Sequence, residues 1–168
     1  MDDDLSLDSL RNAIRTKRAR ASTDADEQFG ALARRFESAV QDLVALICKV
    51  AESIPELSVT LEDETETFTS PAFPGKEVDI EDQRVHIRLD EDYLLFDPTA
   101  QAHFTTHGQV EVRSSRPIPF LIEKTLYLLP EGTVGSPRWG YRSISNLGGG
   151  LTPFDGRALV AMLKAVFA

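Results

Sequence analysis

The chain has 168 residues, with 18 Lys or Arg against 27 Asp or Glu, a formal net charge of −9 and a sequence pI near 4.8. That length suits one domain with at most an appendage, and its one cysteine, Cys48, excludes an intrachain disulfide framework or a cysteine-built zinc site. No run of about 18 apolar residues is present to span a membrane, and the acidic start Met1-Asp2-Asp3-Asp4 lacks the apolar stretch of a secretory signal, which makes the cytoplasm the expected compartment.

The charge is segregated. Residues 1–55 carry 8 basic and 10 acidic side chains, residues 56–97 carry 3 and 13, and residues 98–168 carry 7 and 4. The acidity therefore belongs to the middle third. It argues against nucleic acid as the main partner, because long-range steering follows the summed field. Arg11, Arg15, Lys17, Arg18 and Arg20 form a local basic cluster with no acid among them.

In chain order, residues 5–21 read as a short amphipathic helix, with Leu7, Leu10 and Ile14 on one stripe and Arg11, Arg15 and Arg18 beside it. Residues 24–54 carry the strongest helical pattern. Phe29, Leu32, Phe36, Ala39, Leu43, Leu46 and Val50 alternate steps of three and four, widened by Ala33, Val40, Ile47 and Ile54. Thr23 or Asp24 would cap this helix and Pro55 would end it. Cys48 falls off the stripe, where an exposed thiol is expected.

After Pro55 the period falls to 2. Leu57 to Glu62 reads as a strand, Asp63-Glu64 as a turn, and Thr65 to Thr69 as a short edge strand. Residues 70–83 read as loop. Arg84 to Leu89 is the cleanest alternation, turned by Asp90-Glu91-Asp92 into Tyr93 to Phe96, with Asp97-Pro98 as its stop. Loop follows to residue 108, then a strand at 109–113. Phe120 to Leu129 fits either a helix face or a strand, and its β-rich neighbours favour the strand. Trp139 to Ser145 reads as its hairpin partner. Gly148-Gly149-Gly150 is a joint, and Thr152-Pro153-Phe154-Asp155 looks like the start of a C-terminal helix, with Thr152 as its cap.

The expected fold is therefore α+β. A mostly antiparallel sheet of five to seven strands is covered on one face by a long N-terminal helix and a C-terminal helix. Residues 1–22 would form a flexible or weakly helical basic arm, and residues 23–168 a single domain.

The motifs name no catalyst. His103 and His107 have a helical metal-ligand spacing but sit in loop sequence. Glu62-Asp63-Glu64 lacks the pattern of a calcium loop. The triple glycine lacks the Lys-Ser/Thr ending of a phosphate loop, and no Gly-x-Ser-x-Gly elbow occurs. No carboxylate pair stands where its pKa values would be driven apart. No catalytic residue, metal ligand or cofactor is assigned.

The candidate binding constellation is the outward sheet face: Arg84, His86 and Arg88 on one strand with Arg113 across from them, joined by Trp139 and Arg142 on the last hairpin. Arginine with aromatic side chains is the material of interface hot spots. The expected function is a non-enzymatic cytoplasmic protein-interaction module, of inhibitor, antitoxin-like, chaperone-like or adaptor type, whose acidic middle third meets a partner with a basic surface. A homodimer through the long helix or a strand edge is a further expectation. The alternatives are a small anionic ligand or nucleic acid held by the sheet-face arginines, or a hydrolase or transferase with an unrecognised site.

Overall fold

The computed structural model describes residues 7–100, 108–130 and 138–168. One helix, α1 (Leu7–Ala51), leads into seven strands and ends in α2 (Gly156–Phe167). The strands are β1 (Ser58–Phe68), β2 (Val78–Leu89), β3 (Asp92–Thr99), β4 (Gln109–Ser114), β5 (Thr125–Leu128), β6 (Trp139–Tyr141) and β7 (Thr152–Pro153). They form one sheet in sequence order, every neighbouring pair antiparallel. Sequential pairing of this kind needs only short connections, which the β2–β3 hairpin meets with Asp90-Glu91 and a φ of 53° at Asp90.

Both helices cover the same side. α1 lies across β2, α2 lies across β3, and the two helices touch. Alternation supplies the sheet's half of the core: Val85 and Ile87, Leu94 and Phe96, Val110 and Val112, Leu126 and Leu128 are all buried. From the helices come Phe36, Val40, Leu43, Ile47, Leu159, Met162 and Val166.

Several expected boundaries shift. The helix does not stop and restart near residue 23. Thr23 Oγ1 donates to the Ala19 carbonyl one turn back at 3.0 Å, so the hydroxyl is satisfied inside the helix and does not cap a new one. At the other end α1 stops at Ala51, which leaves Ile54 beyond it and exposed. Cys48 is half-buried against the core rather than exposed, and burial, with the nearby Glu52, pushes its thiol up. That is the opposite of what a reactive thiol needs.

The turn expected at Asp63-Glu64 is absent, and the loop expected over 70–83 holds only to residue 77, after which β2 begins. β1 runs straight through the acidic stretch and pairs with β2 without interruption from Ser58↔Arg88 to Phe68↔Val78. β3 extends through Pro98 to Thr99, since Pro98 pairs with Val110 in the ladder and does not end it. The strand in 120–129 is shorter than its apolar run, Thr125–Leu128, while Leu121 makes a single bridge to Ser143. Likewise β6 ends at Tyr141 and gives way to a 3₁₀ turn over Ile144–Asn146.

The C-terminal cap also moves. Thr152-Pro153 pairs with β6 as β7, and Asp155 is the N-cap, its carboxylate accepting from the Ala158 amide at 2.9 Å. Asp155→Ala is expected to cost about 1 kcal/mol, read as a lower urea midpoint at unchanged slope.

β3 pairs only with Val85–Leu89 of β2, so Val78–Arg84 continues with β1 as a two-stranded ribbon. Along it the buried phase changes although the register does not: Val85 and Ile87 are buried near β3, but Ile80, Asp82 and Phe68 at the far end. Two-stranded ribbons twist more than wide sheets. That coiling turns the opposite phase of the ribbon toward the helix, where Phe68 meets Phe29 and Phe36 at ring separations of 5.6 and 6.0 Å.

Candidate functional site

Cross-strand register sets the outward face in rows. Thr60, His86, Leu95 and Arg113 form one row over β1 to β4. Glu62 opposite Arg84, and Asp97 opposite Glu111, form the next. The structure thus brings Arg84, His86, Arg88 and Arg113 onto one face, although β3 separates Arg113 from the other three. Arg88 and Glu111 are two strands apart and do not pair.

Most of these cations are already engaged. Arg84 donates to Asp97 at 3.1 Å and lies 2.8 Å from Glu64 and 3.4 Å from Glu62. One guanidinium therefore serves three carboxylates, and these partners raise its pKa. Arg113 grips Glu111 at 2.9 and 3.1 Å, which holds the Glu111 carboxyl below its ordinary value. Arg142, on the last hairpin, lies 3.4 Å from Glu123 and so apart from the arginine row. Arg88 has no ion pair among the described residues, and its Nε donates to His86 Nε2 at 3.3 Å. Burial first, then Arg88 and Arg84, lower the His86 pKa. The neutral imidazole this favours is the form that can accept that hydrogen bond. An anion arriving here would compete with carboxylates already in place.

Trp139 does not belong to this face, and the expectation that it would is corrected. It is 2% exposed, its Nε1 donates to the Ala39 carbonyl at 2.9 Å, and its ring meets Phe36 edge-on at 6.2 Å. On β6 it takes the inward phase, and its ring caps the helix–sheet core.

The group that sequence reasoning missed is acidic. Asp82 is 5% exposed, and among the described residues neither carboxylate oxygen has a donor. Burial, followed by the adjacent Glu66 and then Glu64 and Asp97, pushes its pKa up to about 8. Two ionised carboxylates cannot hydrogen-bond each other, but one proton between them makes the contact favourable. Glu66 is the natural acceptor in this pair, since it already takes the Ala100 amide at 3.1 Å. Burial also raises Glu64, against the pull of Arg84. The signal was present as the alternation Val78, Ile80, Asp82, opposite Phe68, Glu66, Glu64. It was hidden because residues 70–83 read as loop.

Beside this pair lies a cleft of about 440 Å³ between α1 and the ribbon. Val40, Gln41 and Val44 form the helix wall; Asp63, Glu64 and Thr65 of β1 and Glu81, Asp82 and Gln83 of β2 form the other. The ribbon's two strands carry seven acidic side chains against Arg84 and Arg88. β1 is the outer strand of the sheet and, among the described residues, pairs only with β2.

Among the described residues no three His, Cys, Asp or Glu side chains are arranged to hold a metal ion, and no helix is long and apolar enough to cross a membrane. His103 and His107 lie outside the described residues. Comparison with protein-family models, with curated proteins and with solved structures returns no match, so a functional reading has to rest on this geometry.

Proposed function

We propose that this chain is a non-enzymatic protein-interaction module that receives a cationic segment of a partner protein along the open edge of β1. The observation that carries the reading is the acid excess of the β1–β2 ribbon at a sheet edge that, among the described residues, has no further neighbour, next to a cleft whose helix wall includes Val40 and Val44. An extended segment can add to such an edge by main-chain hydrogen bonds, while its alternate side chains read the two faces. Lys or Arg on that segment would meet Glu62, Glu64 and Glu66 on one phase and Asp63 on the other. Arg84 is shared among Glu62, Glu64 and Asp97, which leaves the ribbon's carboxylates collectively under-neutralised. The same pattern disfavours pairing between β1 edges of two copies, because like charges would face each other. The sheet-face arginines are a weaker receptor for anions, since Arg84, Arg113 and Arg142 are already ion-paired.

Fluorescence anisotropy with a labelled peptide alternating Lys and Val tests the proposal, with the Glu-for-Lys peptide as control. The Lys peptide is expected to bind, the Glu peptide not, and binding to weaken as salt shortens the range of the charges. Asp63→Lys with Glu81→Lys, both at exposed positions, should weaken it about tenfold, ~1.4 kcal/mol, without lowering the melting temperature. Equal binding of both peptides, or none at low salt, overturns the reading.

A further inference from the structure

Both carboxylate oxygens of Asp82 are shut off from solvent, and among the described residues no donor reaches them. No cation larger than a proton has access to them. Register sets Asp82 directly opposite Glu64, with Glu66 next on the same phase of β1. Asp97 of β3 lies on this side too, since Arg84 joins it to Glu62 and Glu64. The carboxyls of Glu62, Glu64, Glu66, Asp82 and Asp97 thus gather around a single guanidinium of β2. Arg113 of β4 reaches only Asp97, at 3.7 Å. From α1, Glu37 accepts the Glu81 amide at 3.4 Å and adds a further acid beside the ribbon. A buried charge without a partner is expensive, so the cluster keeps a proton where it would otherwise need a cation.

The groups that hold this proton are also the groups a partner would cover. Burial comes first in raising Asp82 to about 8, followed by Glu66, Glu64 and Asp97. Glu62, Glu64 and Glu66 are the side chains that a cationic segment on the β1 edge would meet. A Lys or Arg beside Glu64 on an added strand would stand about 10 Å from Asp82, two strand spacings away. At an effective dielectric near 20, a charge at that range favours the ionised carboxylate by roughly tenfold.

We propose that docking of a cationic segment along β1 expels the proton held between Asp82 and Glu66, so that the ribbon takes its partner more tightly as pH rises; this rests on the cationic-partner reading above. The carboxyl O–H bond breaks, the proton passes to water, and the incoming ammonium or guanidinium balances the charge left behind. The free protein holds the proton up to about pH 8, and the complex lets it go at lower pH. Between those two points each binding event releases protons, and affinity rises with pH.

An N-acetylated peptide alternating Lys and Val is the probe, because it carries no group that titrates between pH 6.5 and 8.5. Titration calorimetry at pH 7.5 in phosphate and in Tris, matched in ionic strength, counts the protons, since the two buffers take them up with different heats. Wild type is expected to release about half a proton per peptide bound, and Asp82→Asn almost none. The wild-type dissociation constant should fall about fivefold from pH 6.5 to 8.5, while that of Asp82→Asn stays level. His86, whose ionisation Glu62 also influences, is present in both proteins, so the difference between them belongs to Asp82. Glu66→Gln removes the other member of the pair and should cut the release in the same way, which keeps the test decisive if Asp82→Asn does not fold. Equal release from wild type and both variants, or none from wild type with peptide bound, overturns the proposal and leaves the cationic-partner reading standing. A peptide that binds none of the proteins at low salt sinks both.

Discussion

Asp82→Asn is expected to raise the unfolding free energy at pH 8 by on the order of 2–5 kcal/mol and to remove most of the pH dependence between about 4 and 8. The folded protein holds this carboxyl's pKa up to about 8, chiefly by burial and then by Glu66, Glu64 and Asp97, against an ordinary value of 3.8. Between those values the unfolded chain has released the proton and the folded chain still binds it. Stability from this group is thus fully present below about pH 4 and is lost progressively as pH rises through 8. Asparagine fixes a donor where the protonated acid would have one, so its amide can serve Glu66 at every pH. Glu64, Asp97 and Arg84 remain in both proteins, so the difference between the two curves isolates Asp82. Urea midpoints for the wild type and Asp82→Asn from pH 5 to about 8.5 decide the matter. Parallel curves would show that Asp82 ionises freely and that the carboxyl pair does not exist.

Phe36→Ala is expected to cost about 3–5 kcal/mol, a large share of the 5–15 kcal/mol that holds a typical domain. The ring is fully buried and lies where three parts of the chain meet: Phe68 of the ribbon at 6.0 Å, Trp139 of β6 at 6.2 Å, and Gly108 at the entry to β4. Removing it leaves a cavity beside Trp139, whose hydrogen bond to Ala39 ties β6 to α1. Phe36→Leu keeps most of the volume and should cost markedly less. Gly108→Ala tests the same packing from the other side. Gly108 has a φ of 146°, and a Cβ there would stand 2.1 Å from the Phe36 ring, so this one added methyl should also destabilise strongly. The measurement is the urea midpoint of each variant at unchanged slope. A loss under about 1 kcal/mol for Phe36→Ala would mean that the junction is not packed as described.

Both effects arise from residues whose type was ordinary in the sequence and whose neighbours were not legible there. Phe36 was readable as a core position because helical periodicity is local: steps of three and four put it on one stripe with Phe29, Leu32 and Leu43. What it touches was not readable, since Phe68 and Trp139 lie far along the chain. Trp139 was placed on the binding face because its hairpin is flanked by arginines. Its inward phase depends on the β5–β6 register, which is set by pairing Leu128 with Trp139. Asp82 was read as loop because prolines, a glycine and acids dominate residues 70–83, yet pairing with β1 holds that backbone extended.

The α+β class, the antiparallel meander and the two covering helices were determined by local patterning alone. Burial on one face imposes a period of 2 on strands and 3.6 on helices, and that imprint survives in any single chain. The acidity of the middle third was likewise plain from composition. Tertiary structure alone decided that seven acids lie along one open ribbon, that Arg84 is shared by two of them and Asp97 of β3, and that Asp82 is driven toward its protonated form. Electrostatic environment depends on distance and burial in space, and residues such as Glu66, Asp82 and Asp97 acquire theirs only when a twisted sheet brings them together.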